Sequence, residues 1–162
     1  MKHHQGFTLI EILLVVVIIG IMSVAGVNIL NSQSVERQIM LTANQFESEI
    51  KYLCDRAILE NRAYGVEWLS NGYQVMQYHQ GSWRSMESSQ GLVTIDGFDF
   101  ELMIRGLNQE LSEQVEQIPH VVCQTDGSIN AFELRLLSPE SNNYYSLRTE
   151  TPWKLSGAWV EN

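Results

Sequence analysis

The chain has 162 residues and a mass of 18.5 kDa, which is enough for one domain of ordinary size and excludes a large multidomain enzyme. Its 19 Asp and Glu residues outnumber its 10 Lys and Arg residues, and the formal net charge of −9 at pH 7 disfavours a protein whose main task is to grip nucleic acid. Two cysteines are too few for a disulfide framework, and they lack the Cys-x-x-Cys spacing of a zinc or redox site.

One apolar segment near the amino terminus has the character of a membrane span. Residues 12–27 read ILLVVVIIGIMSVAGV, and the surrounding run from Phe7 to Leu30 contains a single charged side chain, Glu11. A stretch of ~20 apolar residues can cross the hydrocarbon core of a bilayer as a helix. We therefore predict one transmembrane segment over residues 7–30, because no second run of this kind follows.

The charges on either side of this segment predict its orientation. Lys2 precedes it, whereas residues 31–162 carry 18 acidic and 9 basic residues, since only Glu11 and Lys2 of the 19 and 10 come earlier. Positive charge is retained in the cytoplasm, so the chain is expected in the inner membrane with residues 31–162 as a periplasmic domain. The neighbouring His3 and His4 lack further ligands, so they do not predict a metal site.

Apolar residues recur at steps of three and four after this segment, which is the spacing of one helix face. They are Val35, Ile39, Ala43, Phe46, Ile50, Leu53, Ala57 and Ile58. Because no proline occurs between residues 7 and 118, we predict one long helix over roughly residues 8–60 that ends near Asn61. Its first half is expected in lipid, and its second half is expected to pack the apolar face onto the rest of the domain.

The pattern changes to a period of two beyond the helix, which predicts strands. The pair Asn71-Gly72 tolerates positive φ, so we predict a hairpin with a two-residue type I′ turn at these residues. The apolar residues on one face of this hairpin are Val66, Trp68, Tyr73 and Val75. Further strand-like stretches are Leu92–Ile95, Phe98–Ile104, His120–Gln124, Phe132–Leu137 and Tyr144–Thr149. These elements predict an α+β fold in which a long amino-terminal helix packs on an antiparallel β-sheet domain.

Some stretches of this domain are ambiguous or are interpreted as packing. Leucine, valine and isoleucine recur at helical spacing over residues 107–118, which predicts either a short surface helix or a long loop before Pro119. Four aromatic residues are interpreted as cross-strand and core packing: Trp68, Tyr73, Tyr78 and Trp83. Trp153 and Trp159 near the carboxyl terminus are candidates for a contact with another subunit.

The amino terminus carries the most specific motif in the chain. Lys2 to Glu11 read KHHQGFTLIE, which is a short basic leader, then Gly6 and Phe7, then one carboxylate inside an apolar helix. This arrangement resembles the class III signal of the type IV pilins and the type II secretion pseudopilins, a superfamily with a pilin-like fold. The resemblance implies a leader over residues 1–6 that the prepilin peptidase removes after Gly6, and methylation of the new amino terminus at Phe7.

Glu11 has an independent physical interest because it is charged and lies in the apolar segment. A carboxylate at the centre of a bilayer helix costs ~2.5–3.5 kcal/mol, which favours a partner for it. No Lys or Arg lies in the segment, and the nearest candidate is the α-amine created at Phe7, about 6 Å away along a helix. The resemblance implies that Glu11 meets the amino terminus of a neighbouring subunit during assembly. The alternative is that Glu11 snorkels to the cytoplasmic headgroups.

An ordinary secretory signal peptide is a rival interpretation of this amino terminus. The small residues Ser23-Val24-Ala25 suit signal peptidase, and cleavage there predicts a soluble periplasmic protein. Glu11 inside the apolar region and the helical periodicity beyond the segment oppose this interpretation.

Asn28 departs from the pilin pattern, because major pilins and major pseudopilins usually carry proline there. Gly20 and Gly26 weaken the helix by up to ~1 kcal/mol each and supply similar softness.

Two later stretches resemble the H-type minor pseudopilins, the general secretion pathway protein H family. They include CDRAILENR at Cys54–Arg62 and TDGSINAFELRL at Thr125–Leu136. The resemblance implies a subunit near the tip of the periplasmic pseudopilus that helps export folded proteins through the outer membrane. The implied partners are the prepilin peptidase, the major pseudopilin, other minor pseudopilins and the inner-membrane assembly platform. The alternative is the related type IVa minor pilin, which acts in pilus priming or DNA uptake, although the acidic charge opposes DNA binding.

The sequence does not predict an enzyme. His79 and His120 are 41 residues apart, and the chain has no Gly-x-Ser-x-Gly elbow. Glu110, Glu113 and Glu116 lack the glycine and the closely alternating acids of a calcium loop, so we interpret them as a solvated helix face. We therefore predict no catalytic residue, no cofactor and no metal.

The two cysteines allow two interpretations. Cys54 is expected to face inward near the helix end and Cys123 to lie on a strand, in a compartment that oxidises thiols. Their separation of 69 residues favours a bridge entropically, but a helix-to-strand bridge requires Cα atoms within ~7 Å. Because buried cysteines are common, we expect free thiols, with a Cys54–Cys123 disulfide as the alternative.

Overall fold

One long helix and ten strands form the described part of the chain. The computed structural model describes residues 9–86, 92–139 and 141–161, and only the backbone over residues 22–34. Helix α1 covers Leu9–Glu60 and has 52 residues. The strands are β1 (Tyr64–Leu69), β2 (Gly72–His79), β3 (Ser82–Ser85), β4 (Val93–Thr94), β5 (Phe100–Ile104), β6 (Leu107–Asn108), β7 (Val121–Cys123), β8 (Phe132–Leu137), β9 (Tyr144–Thr151) and β10 (Lys154–Val160).

The predicted long helix and its end are confirmed. The helix runs without a break to Glu60, and the next residue, Asn61, has φ of 47°. The Arg62 amide donates to the Ala57 carbonyl at 3.1 Å, and the Asn61 amide donates to the Ile58 carbonyl at 3.3 Å. This pair of bonds is a Schellman cap, in which asparagine takes the left-handed position that glycine usually fills.

The strands form two antiparallel sheets, which confirms the predicted α+β fold with an antiparallel β-sheet domain. The first sheet has the order β3-β2-β1-β7, with β4 paired to the first residues of β2. The second sheet has the order β10-β9-β8-β5-β6. Helix α1 contacts β1 and β7 of the first sheet and β8 and β9 of the second. The second half of the helix therefore packs against both sheets.

The buried stripe of α1 is the helix's contribution to the core of the domain. Six of the eight residues predicted for it are buried: Ile39, Ala43, Phe46, Ile50, Leu53 and Ala57. Ile58 is 52% exposed and lies at the edge of the stripe. The Phe46 ring meets Trp68 of the first sheet at 4.9 Å and Phe132 of the second at 6.2 Å, both edge to face. This aromatic cluster joins the helix and the two sheets.

The hairpin of β1 and β2 has the predicted face but a different turn. Val66 pairs with Val75 and Trp68 with Tyr73, and all four are buried. Leu69 pairs with Gly72, so the two turn residues are 70 and 71, and the predicted type I′ turn at Asn71-Gly72 is wrong. Gly72 is needed for another reason, because the carbonyl of Val93 in β4 occupies the space of a Cβ there.

The last strand, β10, is absent from the predicted elements. It pairs with β9 from Lys154 to Val160, and the hairpin turns through Pro152 and Trp153. Its sequence, KLSGAWV, contains Gly157 and Ala158, which have low strand propensity. The strand forms because every one of its residues has a partner in β9, and this contribution from another strand is not visible in the local sequence pattern.

Candidate functional site

The amino-terminal part of α1 exposes a continuous apolar surface. All side chains from Leu9 to Ile21 are exposed, and Glu11 is the one that carries charge. Leu9 is 86% exposed and Ile21 is 67% exposed. Contiguous apolar surface of this kind marks contact with lipid or with other proteins. We call residues 9–21 the exposed helix segment.

Glu11 lies in the first turn of the described helix, on the exposed helix segment. No ion pair among the described residues includes it. Gly6 and Phe7, the predicted cleavage and methylation residues, lie outside the described residues. Over the part of the chain that the structure describes, no helix is both long and apolar enough to cross a membrane.

A disulfide fastens the end of the helix to the first sheet. Cys54 of α1 and Cys123 of β7 are bonded, with Cα atoms 4.9 Å apart. The expectation of free thiols is therefore wrong, and the alternative prediction of a Cys54–Cys123 disulfide is the one that the structure contains. The physical reason is the close packing of α1 on β7, which brings the two Cα atoms within bonding range.

Two tyrosine–glutamate hydrogen bonds also join α1 to the first hairpin. The Tyr73 hydroxyl in β2 donates to Glu49 Oε2 at 2.7 Å, and the Tyr64 hydroxyl in β1 donates to Glu60. Burial, together with the hydrogen bond to Glu60, raises the pKa of Tyr64 to about 12. The bonds from Tyr64 and then from Arg56 lower the pKa of the Glu60 carboxyl. The helix is therefore held to both strands of the hairpin by charge-assisted bonds.

The segment 109–120 forms a loop over the outer face of β1. Of the two structures predicted for this stretch, the long loop is therefore confirmed and the short surface helix is wrong. Glu67 in β1 is 2% exposed, and its carboxylate accepts the backbone amides of Glu116 at 2.6 Å and Gln117 at 3.1 Å. Because these amides bond to Glu67, they do not form the ladder of a helix. Sequence reasoning missed Glu67, although one acid in the apolar stretch YGVEWL was a signal.

His120 at the end of this loop has a structural role. Its Nδ1 accepts the backbone amide of Trp68 at 3.0 Å, and burial lowers the pKa of its imidazole. Glu110, Glu113 and Glu116 are exposed on the loop instead of on a helix face. Among the described residues, no three His, Cys, Asp or Glu side chains are grouped so that they could hold a metal ion.

The lowered pKa of His120 gives the domain a pH dependence. Below an unfolded pKa of about 6.5 the unfolded chain takes up a proton first, so stability is lost as pH falls toward the folded pKa. We expect the melting temperature to fall more between pH 7.5 and pH 5.5 in the wild type than in His120→Asn. Asparagine offers an acceptor oxygen to the Trp68 amide without titrating. Equal pH dependence in both proteins would refute this role.

The tryptophans of the carboxyl-terminal hairpin differ in their surroundings. Trp153 is 68% exposed at the turn, beside a groove of about 370 Å³ that Ile58 and Gly127 also line. Trp159 is 37% exposed and meets the ring of Tyr145 edge to face, with the ring centroids 5.5 Å apart.

The packing role predicted for four other aromatic residues is confirmed. The rings of Trp68 and Tyr73 are in contact, with their centroids 5.1 Å apart. The rings of Tyr78 and Trp83 are also in contact, with their centroids 5.3 Å apart.

Comparisons of the sequence with known proteins agree with one another. Residues 1–27 match the prokaryotic N-terminal methylation motif, a range that includes Gly6, Phe7 and Glu11. Type II secretion system protein H of Pseudomonas aeruginosa is 29% identical over 146 residues, which cover 84% of each chain. The protein of the same name from Aeromonas hydrophila is 22% identical over 91% of this chain and 88% of its own.

Solved structures show the same fold at low sequence identity. The minor pseudopilin EpsH from the type 2 secretion system of Vibrio cholerae superposes with a TM-score of 0.63 at 15% identity, over 74% of this chain and 94% of its own. GspH of E. coli superposes with a TM-score of 0.60 at 18% identity, over 75% of this chain and 88% of its own. The helix on antiparallel sheets described above is thus a pilin-like α+β fold.

Proposed function

We propose that this chain, an H-type minor pseudopilin of type II secretion, joins the periplasmic pseudopilus near its tip and helps export folded proteins through the outer membrane. The observation that carries the proposal is the continuous helix α1, whose first described residues form an exposed apolar surface and whose second half packs one face into the core of an acidic domain. Such a helix can join a helical filament while the domain stays at the filament surface. We propose no catalytic role, cofactor or metal.

The amino terminus supplies the route into the membrane. We propose that the prepilin peptidase removes residues 1–6 and methylates Phe7, and that residues 7–30 then hold the subunit in the inner membrane with residues 31–162 in the periplasm. The match of residues 1–27 to the N-terminal methylation motif supports this sequence of events. From the membrane, the inner-membrane assembly platform would pass the subunit to the major pseudopilin and the other minor pseudopilins.

The proposed processing predicts a definite mass for the mature protein. The mature protein is expected to begin at methylated Phe7 and to have 156 residues, because the peptidase removes the six leader residues from a chain of 162. Intact-mass measurement of the protein extracted from membranes checks this. A mature chain beginning at Gly26 would instead identify an ordinary signal peptide and a released periplasmic protein.

The helix–sheet joint supports transmission of movement from the filament core to the domain. The Cys54–Cys123 disulfide and the Tyr73–Glu49 bond hold α1 at two positions along the first sheet. Rise or rotation of the buried helix during assembly would therefore turn the whole domain with it. A loosely attached domain would not follow the helix in this way.

The charge of the domain favours protein partners over DNA. The domain from about residue 31 is expected to be soluble and monomeric and to give no mobility shift with duplex DNA at low salt, because residues 31–162 carry a net charge of −9. The relatives do not favour the type IVa pilin alternative. Tight, salt-sensitive DNA binding would shift the proposal to that alternative.

Co-purification tests the proposed assembly. The full chain with a carboxyl-terminal tag is expected to bring down the major pseudopilin and other minor pseudopilins from detergent-solubilised membranes of a secreting strain. A tagged inner-membrane protein with one unrelated span serves as the control. Recovery of type IV pilus subunits without pseudopilins would contradict the proposal.

A further inference from the structure

The edge strand β10 differs from the other sheet edges of the described chain. The terminal strands β3, β7 and β6 have four, three and two residues, whereas β10 has seven. Proteins protect their sheet edges with short strands, charges or proline. Over β10 the one charged residue is Lys154, at the first position, no proline is present, and the one register shift falls at the start of the strand, between Lys154 and Leu155. By these criteria β10 is an unprotected edge that can accept another strand.

The middle of β10 is exposed to solvent and packs against Tyr145 of β9. Gly157, Ala158 and Trp159 are exposed. The Tyr145 hydroxyl fills the space that a Cβ of Gly157 would need, and the Tyr145 ring packs against Trp159. In a strand, alternate residues direct their backbone amides and carbonyls to either side, and those of β10 that face away from β9 have no partner among the described strands.

A groove of about 320 Å³ lies on the outer face of the second sheet, next to this edge. It is lined by Arg135 of β8, by Arg148 of β9 and, on the β10 side, by the small residues Ser156 and Ala158. Arg135 is already engaged, because it pairs with Glu133 at 3.1 Å. Arg148 is exposed and forms no ion pair among the described residues. Glu133 of β8 lies opposite Arg148 in the register, but its two carboxylate oxygens accept hydrogen bonds from Arg135 and Ser146, so the Arg148 guanidinium is left available on an acidic domain.

We propose that β10 accepts an extended segment of a neighbouring pseudopilin, which adds a sixth strand to the second sheet and brings a carboxylate to Arg148. This inference rests on the proposed function. Arg148 pairs with Ser156 in the sheet register, so only a small side chain lies between Arg148 and the open edge. An added strand would lie about 10 Å from β9, within the combined reach of an arginine and a glutamate side chain.

A second copy of this chain is a poorer occupant of the edge. Strand β10 contains no Asp or Glu, so pairing two β10 strands would bring no carboxylate from either strand to Arg148. Each copy also carries a net charge of −9 over residues 31–162, and two such domains repel one another. The proposed occupant is therefore a different subunit, with an acidic residue on its added strand.

Hydrogen exchange measured by mass spectrometry on the full chain in detergent tests strand addition. The probes are the purified major pseudopilin and each purified minor pseudopilin of the same system, added singly and together. Amide exchange over residues 154–160 is expected to slow in a complex, while residues 82–85 of the β3 edge serve as the internal control. A stable complex with unchanged exchange over residues 154–160 would overturn this inference and leave the proposed function standing.

Charge variants test the identity of the occupant. Arg148→Glu is expected to weaken the complex by about tenfold, whereas Arg148→Lys keeps most of the affinity. Arg105→Glu makes the same charge change at an exposed turn between β5 and β6 and is expected to have no effect. If Arg148→Glu lowers the melting temperature strongly, Ser156→Tyr blocks the groove without a charge change and is expected to weaken the complex as well.

The remaining outcomes are also decisive. Protection over residues 154–160 that depends only on the concentration of this chain would identify a homodimer and contradict the proposed occupant. Equal affinity of Arg148→Glu and wild type would contradict the carboxylate contact. Failure to form a complex with any pseudopilin would contradict the proposed function, and the inference would fall with it.

Discussion

Glu11→Leu is expected to leave processing after Gly6, the membrane level of the protein and the fold of the outer domain intact, while it reduces incorporation into the pseudopilus and export. Glu11 is remote from the buried stripe of α1, so the domain does not need it to fold. The cost of an unpaired carboxylate reaches ~2.5–3.5 kcal/mol at the bilayer centre, and under the proposed function docking beside a subunit with a free amino terminus is expected to relieve part of it. Relief of half of it corresponds to about tenfold in incorporation.

The conservative variant Glu11→Asp separates charge from reach. It keeps the carboxylate but shortens the side chain by one methylene, so its incorporation is expected to fall between wild type and Glu11→Leu. The measurement is co-purification of each variant with the major pseudopilin, alongside a secretion assay and an intact-mass check of processing. Wild-type incorporation and export by Glu11→Leu would mean that the outer domain alone recruits this subunit.

Removal of the disulfide is expected to cost about 4 kcal/mol of stability, since it releases a loop of 69 residues in the unfolded chain. Cys54→Ala, Cys123→Ala and the double variant are expected to lose similar amounts, because any of them removes the same cross-link. For a domain of this size the melting temperature falls by about 10 °C. Thermal unfolding of the wild type with and without reductant gives the matched comparison.

Two results would contradict the structural role of this bridge. One is a non-reducing mass analysis of protein from the periplasm that finds both thiols free. The other is a melting temperature of the wild type that reductant does not change, together with a lower melting temperature for Ile50→Ala, which creates a cavity in the same helix–sheet contact. That second pattern would attribute the joint to packing alone.

The long helix and the first hairpin were predictable because their signals are local. Apolar spacing of three and four, with no proline before residue 119, determines α1, and alternation across residues 66–75 determines the buried hairpin face. The turn was displaced by one residue because β4 requires Gly72 for close approach. That requirement comes from Val93 of β4, a strand outside the hairpin, and not from the turn itself.

The remaining differences depend on distances that sequence does not contain. Cys54 and Cys123 bond because α1 and β7 pack closely, and local pattern gives no helix–strand distance. The loop over β1 forms because the buried Glu67 takes its amides, and β10 forms on the partner strand β9. By contrast, Glu11 could be singled out from the sequence, since one acid in an apolar segment is visible without any tertiary information.

Export by a strain that lacks this chain tests assembly into a type II pseudopilus most directly. Deletion of its gene is expected to stop release of folded exoproteins to the medium, wild-type chain is expected to restore it, and Glu11→Leu at equal membrane level is expected to restore it poorly. Activity of a secreted enzyme in the medium, measured against its activity in the periplasm, gives the readout. Normal export in the deletion strain, accompanied by loss of surface pili, would contradict the secretion assignment and identify a pilus subunit.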